Sequence, residues 1–280
     1  MNSSKLIETA SAQLKSKNIL SHKIDSEILL SKVLGQTREE ILANLEKNIP
    51  LKKISKFKKL LKRRLSKEPI AYILKEKEFW SKVFEVNKNT LIPRPETELM
   101  VDQLAKIYKD KKAFILDIGT GTGCILISLL SEIKNSKGIG IDISKKALHV
   151  ANRNANRHNM KNKIKFLRRS LIELFNCKFD LIVSNPPYIR KNEMMSLEDD
   201  IKRFEPKIAL DGGNDGLDVI KKVIYKSKDI LKINGMLALE IGNEQYKKVS
   251  KILVKNNFKI VRIIKDYGDN TRGLISKLNR

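Results

Sequence analysis

The chain has 280 residues, room for one large domain or two modest ones, and a hydrophobic content of 41% is enough to bury a core in either arrangement. No apolar run approaches the ~20 residues of a membrane span, and the polar start Met1-Asn2-Ser3-Ser4-Lys5 lacks the apolar stretch of a secretory leader, so a cytoplasmic protein without a membrane partner is expected. The 57 Lys and Arg against 32 Asp and Glu leave a formal +25, which would suit nucleic acid or an acidic surface, but the charge is mostly lysine, spread without interleaved aromatics, and compositional bias explains it equally well.

Apolar residues from Leu6 to Leu65 recur at helical spacing (Ile24, Ile28, Leu29; Ile41, Leu42, Leu45), which predicts a small helical bundle over residues 1–70 whose last helix, Ile54 to Leu65, carries a lysine-rich face and is closed off by Pro69. The aromatic and β-branched stretch with Tyr72, Phe79, Trp80, Val83, Phe84 and Val86 predicts a hairpin linker over 71–90. A helix follows from Pro95 to about Tyr108, with Glu96 and Glu98 in its first turn where the helix dipole favours acids. Strands are then expected at Ala113–Ile118, Gly138–Ile141, Ile164–Leu167, Phe179–Val183, Met236–Ile241 and Phe258–Ile264. Helices alternate with them, among them Ser144–His158 and Val219–Leu231. That alternation specifies an α/β class: a Rossmann-like, mostly parallel sheet with helices on both faces over residues 91–280. Cys124 and Cys177 have no neighbouring ligand residues at metal spacing and lie in apolar stretches, so both are expected to be reduced and structural, and no metal site is expected. His22, His149 and His158 fit no catalytic or ligand pattern.

Asp117-Ile118-Gly119-Thr120-Gly121-Thr122-Gly123 falls where the first strand of this fold meets its helix, so glycines there let the backbone turn sharply and approach a nucleoside closely. A dinucleotide fingerprint would place glycine at 124, where Cys124 stands, and the Gly-x-Gly-x-Gly form favours S-adenosylmethionine over NAD. Asp142, at the end of the second strand, can accept both ribose hydroxyls. Ser170 and Leu171 follow the third strand, so adenine is expected to rest on apolar packing at Leu171.

Ser184-Asn185-Pro186-Pro187-Tyr188 follows the fourth strand at the same sheet edge. An amide or exocyclic amine nitrogen is a poor nucleophile because its lone pair is delocalised. Two acceptors aimed at its two hydrogens, the Asn185 side-chain oxygen and the Pro186 carbonyl, would counter that delocalisation, with Pro187 stiffening the turn. Tyr188 is expected to stack on the planar group, and Asn185 to border the cofactor as well. The motif suits a planar amide or an adenine amine.

Glu68-Pro69-Ile70-Ala71-Tyr72, Phe79-Trp80, Leu91-Ile92-Pro93-Arg94-Pro95-Glu96-Thr97-Glu98, Arg203-Phe204-Glu205-Pro206, Leu239-Glu240-Ile241-Gly242 and Asp266-Tyr267-Gly268-Asp269-Asn270 accompany these two motifs. Together they make the chain resemble the HemK/PrmC family, the release-factor glutamine methyltransferases, over nearly its whole length. The resemblance implies an N-terminal helical substrate-recognition domain, a hairpin linker and a catalytic domain. It implies methylation of the glutamine in the Gly-Gly-Gln loop of class I peptide chain release factors, with Asn185 and Pro186 on the glutamine amide, and Gly119 to Gly123 and Asp142 on S-adenosylmethionine. An acid–tryptophan pair of that family is replaced here by Ser170 and Leu171. Arg94 to Glu98 is expected near the transfer site. An adenine-N6 methyltransferase, which shares Asn-Pro-Pro-Tyr, and a ribosomal-protein glutamine methyltransferase remain as alternatives.

Overall fold

The computed structural model describes residues 1–171, 173 and 177–279. Five helices come first: α1 (Ser3–Ser16), α2 (His22–Leu34), α3 (Arg38–Leu42), α4 (Leu51–Leu65) and α5 (Ile70–Leu74). A hairpin of β1 (Glu76–Phe79) and β2 (Lys82–Glu85) leads to α6 (Pro95–Tyr108), β3 (Phe114–Ile118), α7 (Cys124–Glu132), β4 (Lys137–Asp142), α8 (Lys145–Arg157), β5 (Ile164–Arg168) and β6 (Phe179–Ser184). The remainder holds α9 (Asp199–Phe204), α10 (Asp218–Ile230), β7 (Leu231–Glu240), α11 (Tyr246–Lys255), β8 (Phe258–Lys265) and β9 (Thr271–Leu278). Two compact units result, one of Met1–Glu76 with Glu198–Phe204 and one of Lys77–Leu197 with Glu205–Arg280.

The first unit is built on amphipathic helices with defined ends. Asn2 caps α1 by accepting from the Lys5 amide, Thr37 and Glu40 form a reciprocal cap on α3, and Gly35 closes α2 in the left-handed conformation. Helix α4 turns Ile54, Phe57 and Leu61 into a core shared with Leu6, Leu14, Leu29 and Leu30, while its exposed lysines face outward. It also buries Arg64, whose Nε donates to Asp25 at 2.7 Å and whose Nη1 reaches the Glu68 carbonyl at 3.1 Å and Asp200 of α9 at 3.3 Å. That web is how a segment far along the chain joins this unit. Pro69 does not merely stop α4, which has already ended at Leu65; it caps α5, because its preset φ suits helix entry, and Ile70–Leu74 is helical where the residue types suggested strand.

The second unit is a seven-stranded sheet in the order β5-β4-β3-β6-β7-β9-β8, parallel except for β9, which runs antiparallel to both its neighbours. Its core strands are near-continuous apolar runs, as a sheet covered on both faces requires: Ile115 and Leu116 on β3 and Leu181, Ile182 and Val183 on β6 are fully buried. The β1–β2 hairpin packs onto this unit: Phe79 and Phe84 meet edge to face at 6.1 Å and share a cluster with Met100, Leu104 and Leu126. The sheet order reverses at β3, so the chain leaves β3 and β6 on either side of a crevice at their carboxyl ends. Cys124 is buried as expected, but Cys177 is exposed and serves no core. Among the described residues no helix is long and apolar enough to cross a membrane.

Removing Arg64 would strand Asp25 in the core without its cation. Arg64→Ala is expected to lower the free energy of urea unfolding, followed by circular dichroism, by ~3 kcal/mol or more, whereas Lys62→Ala on the exposed face should change it by less than ~0.5 kcal/mol.

Candidate active site

A cavity of about 510 Å³ opens at the crevice, a size ordinary for a cofactor-bearing cleft. Its floor is the turn from β3 into α7. Gly119, Gly121 and Gly123 all have positive φ, at 73°, 54° and 79°. Their roles differ. A Cβ on Gly119 would meet nothing within 4 Å, so open space lies directly over the backbone, whereas a Cβ on Gly123 would press on Ile127 and Phe166 at 3.2 Å. The first glycine exposes backbone to the cavity and the last lets helix and sheet close.

The amides of this turn are engaged within the protein. Gly119 and Thr120 donate to the Ile141 carbonyl at 2.9 Å, Gly121 to the Asp142 carboxylate at 3.0 Å and Gly123 to the Thr120 carbonyl at 2.7 Å. A phosphate nest needs such groups free and convergent, so this loop is not built for a pyrophosphate. Asp142 also accepts from the Ser144 amide at 2.8 Å, which holds its carboxylate at the cavity wall with lone pairs to spare for vicinal hydroxyls. Burial raises its pKa, and the backbone donors of Ser144, Gly121 and Ile143 oppose that rise. Ile143, Ala147, Leu171 and Val219 form an apolar flank of the same cavity, with Ser170 beside them. Thr120 and Thr122 line the same wall. Sugar acceptor, apolar slot and exposed glycine backbone together fit the nucleoside part of S-adenosylmethionine.

Under the loop lies Asp117, wholly buried. Its Oδ2 accepts from the Thr120 hydroxyl at 2.6 Å, while Oδ1 has no hydrogen bond of ordinary geometry. Burial pushes its pKa from 3.8 to about 7, against the Thr120 bond.

Asn185, Pro186 and Pro187 line the cavity opposite the glycine turn. Ser184, the last residue of β6, ties this side to the other by donating from Oγ to the Ile118 carbonyl at 2.8 Å. Arg94 and Thr97 also reach the cavity, as expected of the segment around α6. Arg94 pairs with the buried Glu205 at 2.5 Å, and the Ile92 amide donates to the same carboxylate at 3.2 Å, which pins the entry to α6. Tyr188 is placed differently from the stacking role expected of it: its ring is not among the cavity-lining groups but packs into the cluster around Leu239 and Ile241, and its hydroxyl donates to Glu240 at 3.3 Å. Burial, and next the Glu240 charge, raise its pKa above the ordinary range of a phenol. Gln245 holds the chain just beyond the motif, donating to the carbonyls of Tyr188 at 3.0 Å and Gly216 at 3.1 Å.

Glu240, at the end of β7, is the site residue that pattern reading passed over. It is buried beside Thr97, Tyr188 and Asn185. Burial lifts its pKa to about 7; bonds from Thr97, Tyr188 and Asn185 pull it down, and Glu96 pushes it up. The available signal was an acid closing an apolar strand, Leu237-Ala238-Leu239-Glu240, at the edge where the other site residues gather.

Residues 5–74 match the family model described as the PrmC N-terminal domain, and residues 95–201 that of the methyltransferase small domain. The chain is 42% identical to the release factor glutamine methyltransferase of Buchnera aphidicola, covering 94% of this chain and 96% of that protein. It is 36% identical to the bifunctional methyltransferase of Rickettsia felis over 96% of its own length, but spans only 57% of that longer protein. The solved structure of a ribosomal protein L11 methylase from Lactobacillus delbrueckii superposes with a TM-score of 0.51 at 20% identity, covering 68% of this chain and 82% of that one, a likeness of fold. The sheet, the glycine turn and the matched domain define an S-adenosylmethionine-dependent methyltransferase with a Rossmann-like core. Within that class the chain belongs to the family of release factor glutamine methyltransferases.

Asp117 leaves a measurable trace. Its folded pKa lies above the ordinary 3.8, so the native state holds the extra proton; the carboxyl favours folding below 3.8, and that contribution is lost as pH rises toward about 7. Asp117→Asn keeps the acceptor for Thr120. It is expected to flatten the fall of melting temperature across that interval in the cofactor-free protein, and an unchanged slope would contradict the assignment.

Proposed function

We propose that this protein methylates the side-chain amide nitrogen of the glutamine in the Gly-Gly-Gln loop of class I peptide chain release factors. The observation that carries the reading is that one cavity joins a nucleoside-shaped wall, from Gly119 to Asp142, to the acceptor pair of Asn185 and Pro186. Family membership supports the glutamine over the adenine amine that the same four residues would suit. S-adenosylmethionine, when bound, supplies an electrophilic methyl group at the sulfonium end, which would lie between these two walls.

The protein's part is to orient and desolvate the nitrogen. Asn185 Oδ1 and the Pro186 carbonyl take its two hydrogens, so the lone pair is held away from them and toward the cofactor side. Pro187 follows directly and fixes that carbonyl without offering an N–H of its own. Gly119 to Gly123, Asp142, Leu171 and Asn185 bound the cofactor; Asn185, Pro186 and Pro187 bound the substrate. Tyr188 acts from behind, through Glu240. The helical region 1–70 is assigned to recognition of the release factor, 71–90 to the linker and 91–280 to catalysis, all in the cytoplasm where translation takes place.

The test is transfer of label from S-adenosylmethionine to a release factor, to its Gly-Gly-Gln→Gly-Gly-Ala variant, and to bulk nucleic acid. Label is expected on the first alone; label on the variant, or only on nucleic acid, overturns the proposal. Asn185→Ala should lower kcat by about 100-fold or more with little change in cofactor affinity, since the contact it removes is made to the reacting nitrogen.

A further inference from the structure

A carboxamide presents two ends of nearly the same size, one accepting and one donating, and only its neighbours decide which faces a ligand. If Asn185 is to hold a substrate N–H, its oxygen must face the cavity. We propose that Glu240 and Thr97 form a polar relay that sets this orientation, making both of them positioning residues for Asn185. The inference rests on the reading of Asn185 as the acceptor for a planar nitrogen.

The relay follows from counting protons. An ionised carboxylate can only accept, and the Glu240 oxygens are met from two sides: Thr97 Oγ1 lies 2.6 Å from Oε2 and the Tyr188 hydroxyl 3.3 Å from Oε1. A threonine hydroxyl has one hydrogen, and this one is committed to Glu240. What Thr97 offers elsewhere is therefore lone pairs alone, and Asn185 lies against it at 3.3 Å with Nδ2, the end that can answer. Asn185 also lowers the pKa of Glu240 as a donor would, in keeping with the same orientation. With Nδ2 turned inward, Oδ1 is left to the cavity wall that Asn185 forms.

The charges around this point are mixed. Thr97 lies in the first turn of α6, whose amino end carries the positive pole of the helix dipole, and Arg94 and Arg272 act on Tyr188, while burial and the Glu96 charge oppose ionisation of Glu240 and set the pH at which the relay is tested. Were Thr97 unable to accept, the carboxamide could invert and set N–H against the substrate's N–H, two donors facing each other. The glycine turn and Asp142 would be untouched, so the loss belongs in turnover and not in cofactor binding.

The experiment compares Thr97→Ser, which keeps the hydroxyl, with Thr97→Val, which keeps the shape without it, and with Glu240→Gln, at about pH 8.5, where the Glu240 carboxyl is ionised. On a release factor, Thr97→Ser should stay within about threefold of wild-type kcat, and Thr97→Val should fall by about tenfold or more, with the Kd for S-adenosylmethionine unchanged in both. Glu240→Gln, which can run the relay in either direction, should fall between them. A Thr97→Val enzyme as fast as wild type overturns the relay. A second readout needs no substrate: the Asn185 side-chain NH₂ pair in a proton–nitrogen spectrum, assigned by its absence in Asn185→Asp, should move in Thr97→Val and hold its place in Thr97→Ser. A pair that ignores both substitutions overturns the relay, whatever the substrate. A wild-type enzyme that labels no release factor overturns the substrate reading instead, and the NH₂ pair then decides the relay by itself.

Discussion

Everything at the site depends on the parallel pairing of β3 with β6 at the point where strand order reverses. The register sets Ile118 opposite Ser184, so the last residues of the two strands are level and the loops that leave them start from a common line. From there the chain must turn opposite ways, into α7 on one side and into the Asn-Pro-Pro-Tyr turn on the other, because right-handed crossovers carry successive units to opposite faces of the sheet. The Ser184 hydroxyl on the Ile118 carbonyl bonds the two exits together at the level of the loops. A slip of one residue in this pairing would send Leu181 and Val183 to the face that Ile182 fills, exchanging the two packed faces of the strand, and carry Asn185 away from the glycine turn. The hydrophobic code of the core is thus what holds two chemically unrelated loops in register.

The glycine turn shows how a shared scaffold is specialised by small changes in where its amides point. In a phosphate-binding turn the N–H groups converge outward. Here those of Gly119, Thr120, Gly121 and Gly123 turn to protein oxygens, one of them the Asp142 carboxylate itself. The carboxylate is therefore positioned by the loop whose ligand it would share, and that reciprocal bond couples the sugar side of the cavity to the glycine side. The replacement of a third fingerprint glycine by Cys124 also departs from the dinucleotide pattern: a buried thiol at the start of α7 stands where that pattern uses glycine for the close packing of helix on strand.

Most of this was legible in the residues, and the parts that were not share a cause. Continuous apolar runs such as Phe114-Ile115-Leu116 announce a covered parallel strand, and Asp142 and Asn185 can be placed by counting from the ends of such runs. Strand β9 and helix α11 escaped notice. Thr271–Leu278 owes its strand state to pairing with β7 and β8 on both sides, a tertiary fact that no local pattern encodes. Ile70–Leu74 misled in the opposite direction, since its β-branched residues suggest strand until Pro69 is read as the start of a turn of helix. Tyr188 lies three residues beyond Asn185 in a motif whose chemistry invites a stacking ring; the direction of its side chain is decided by Glu240, fifty-two residues away, and by the apolar cluster it packs against. Sequence spacing locates groups along a strand end. It does not say which way a ring turns once the chain has entered a loop.

The two acids beneath the cavity sharpen that distinction. Asp117 and Glu240 stand at the ends of β3 and β7, both buried, both lifted to about 7 by desolvation, and each meets a threonine hydroxyl at 2.6 Å. The first unit handles its buried acid otherwise: Asp25 is given a guanidinium, which neutralises it and ties helices together. A threonine does neither. It offers one proton in one direction, leaves the carboxyl costly, and in exchange transmits the acid's polarity to whatever lies on its other side, the glycine turn for Thr120 and the Asn185 amide for Thr97. An arrangement tuned for stability alone would pair such acids with a cation or replace them with apolar volume. Here the unneutralised acids lie under the two walls of one cavity, each one hydrogen bond removed from it, and the destabilisation they cause is confined to the place where direction, more than strength, of hydrogen bonding decides what the site can hold.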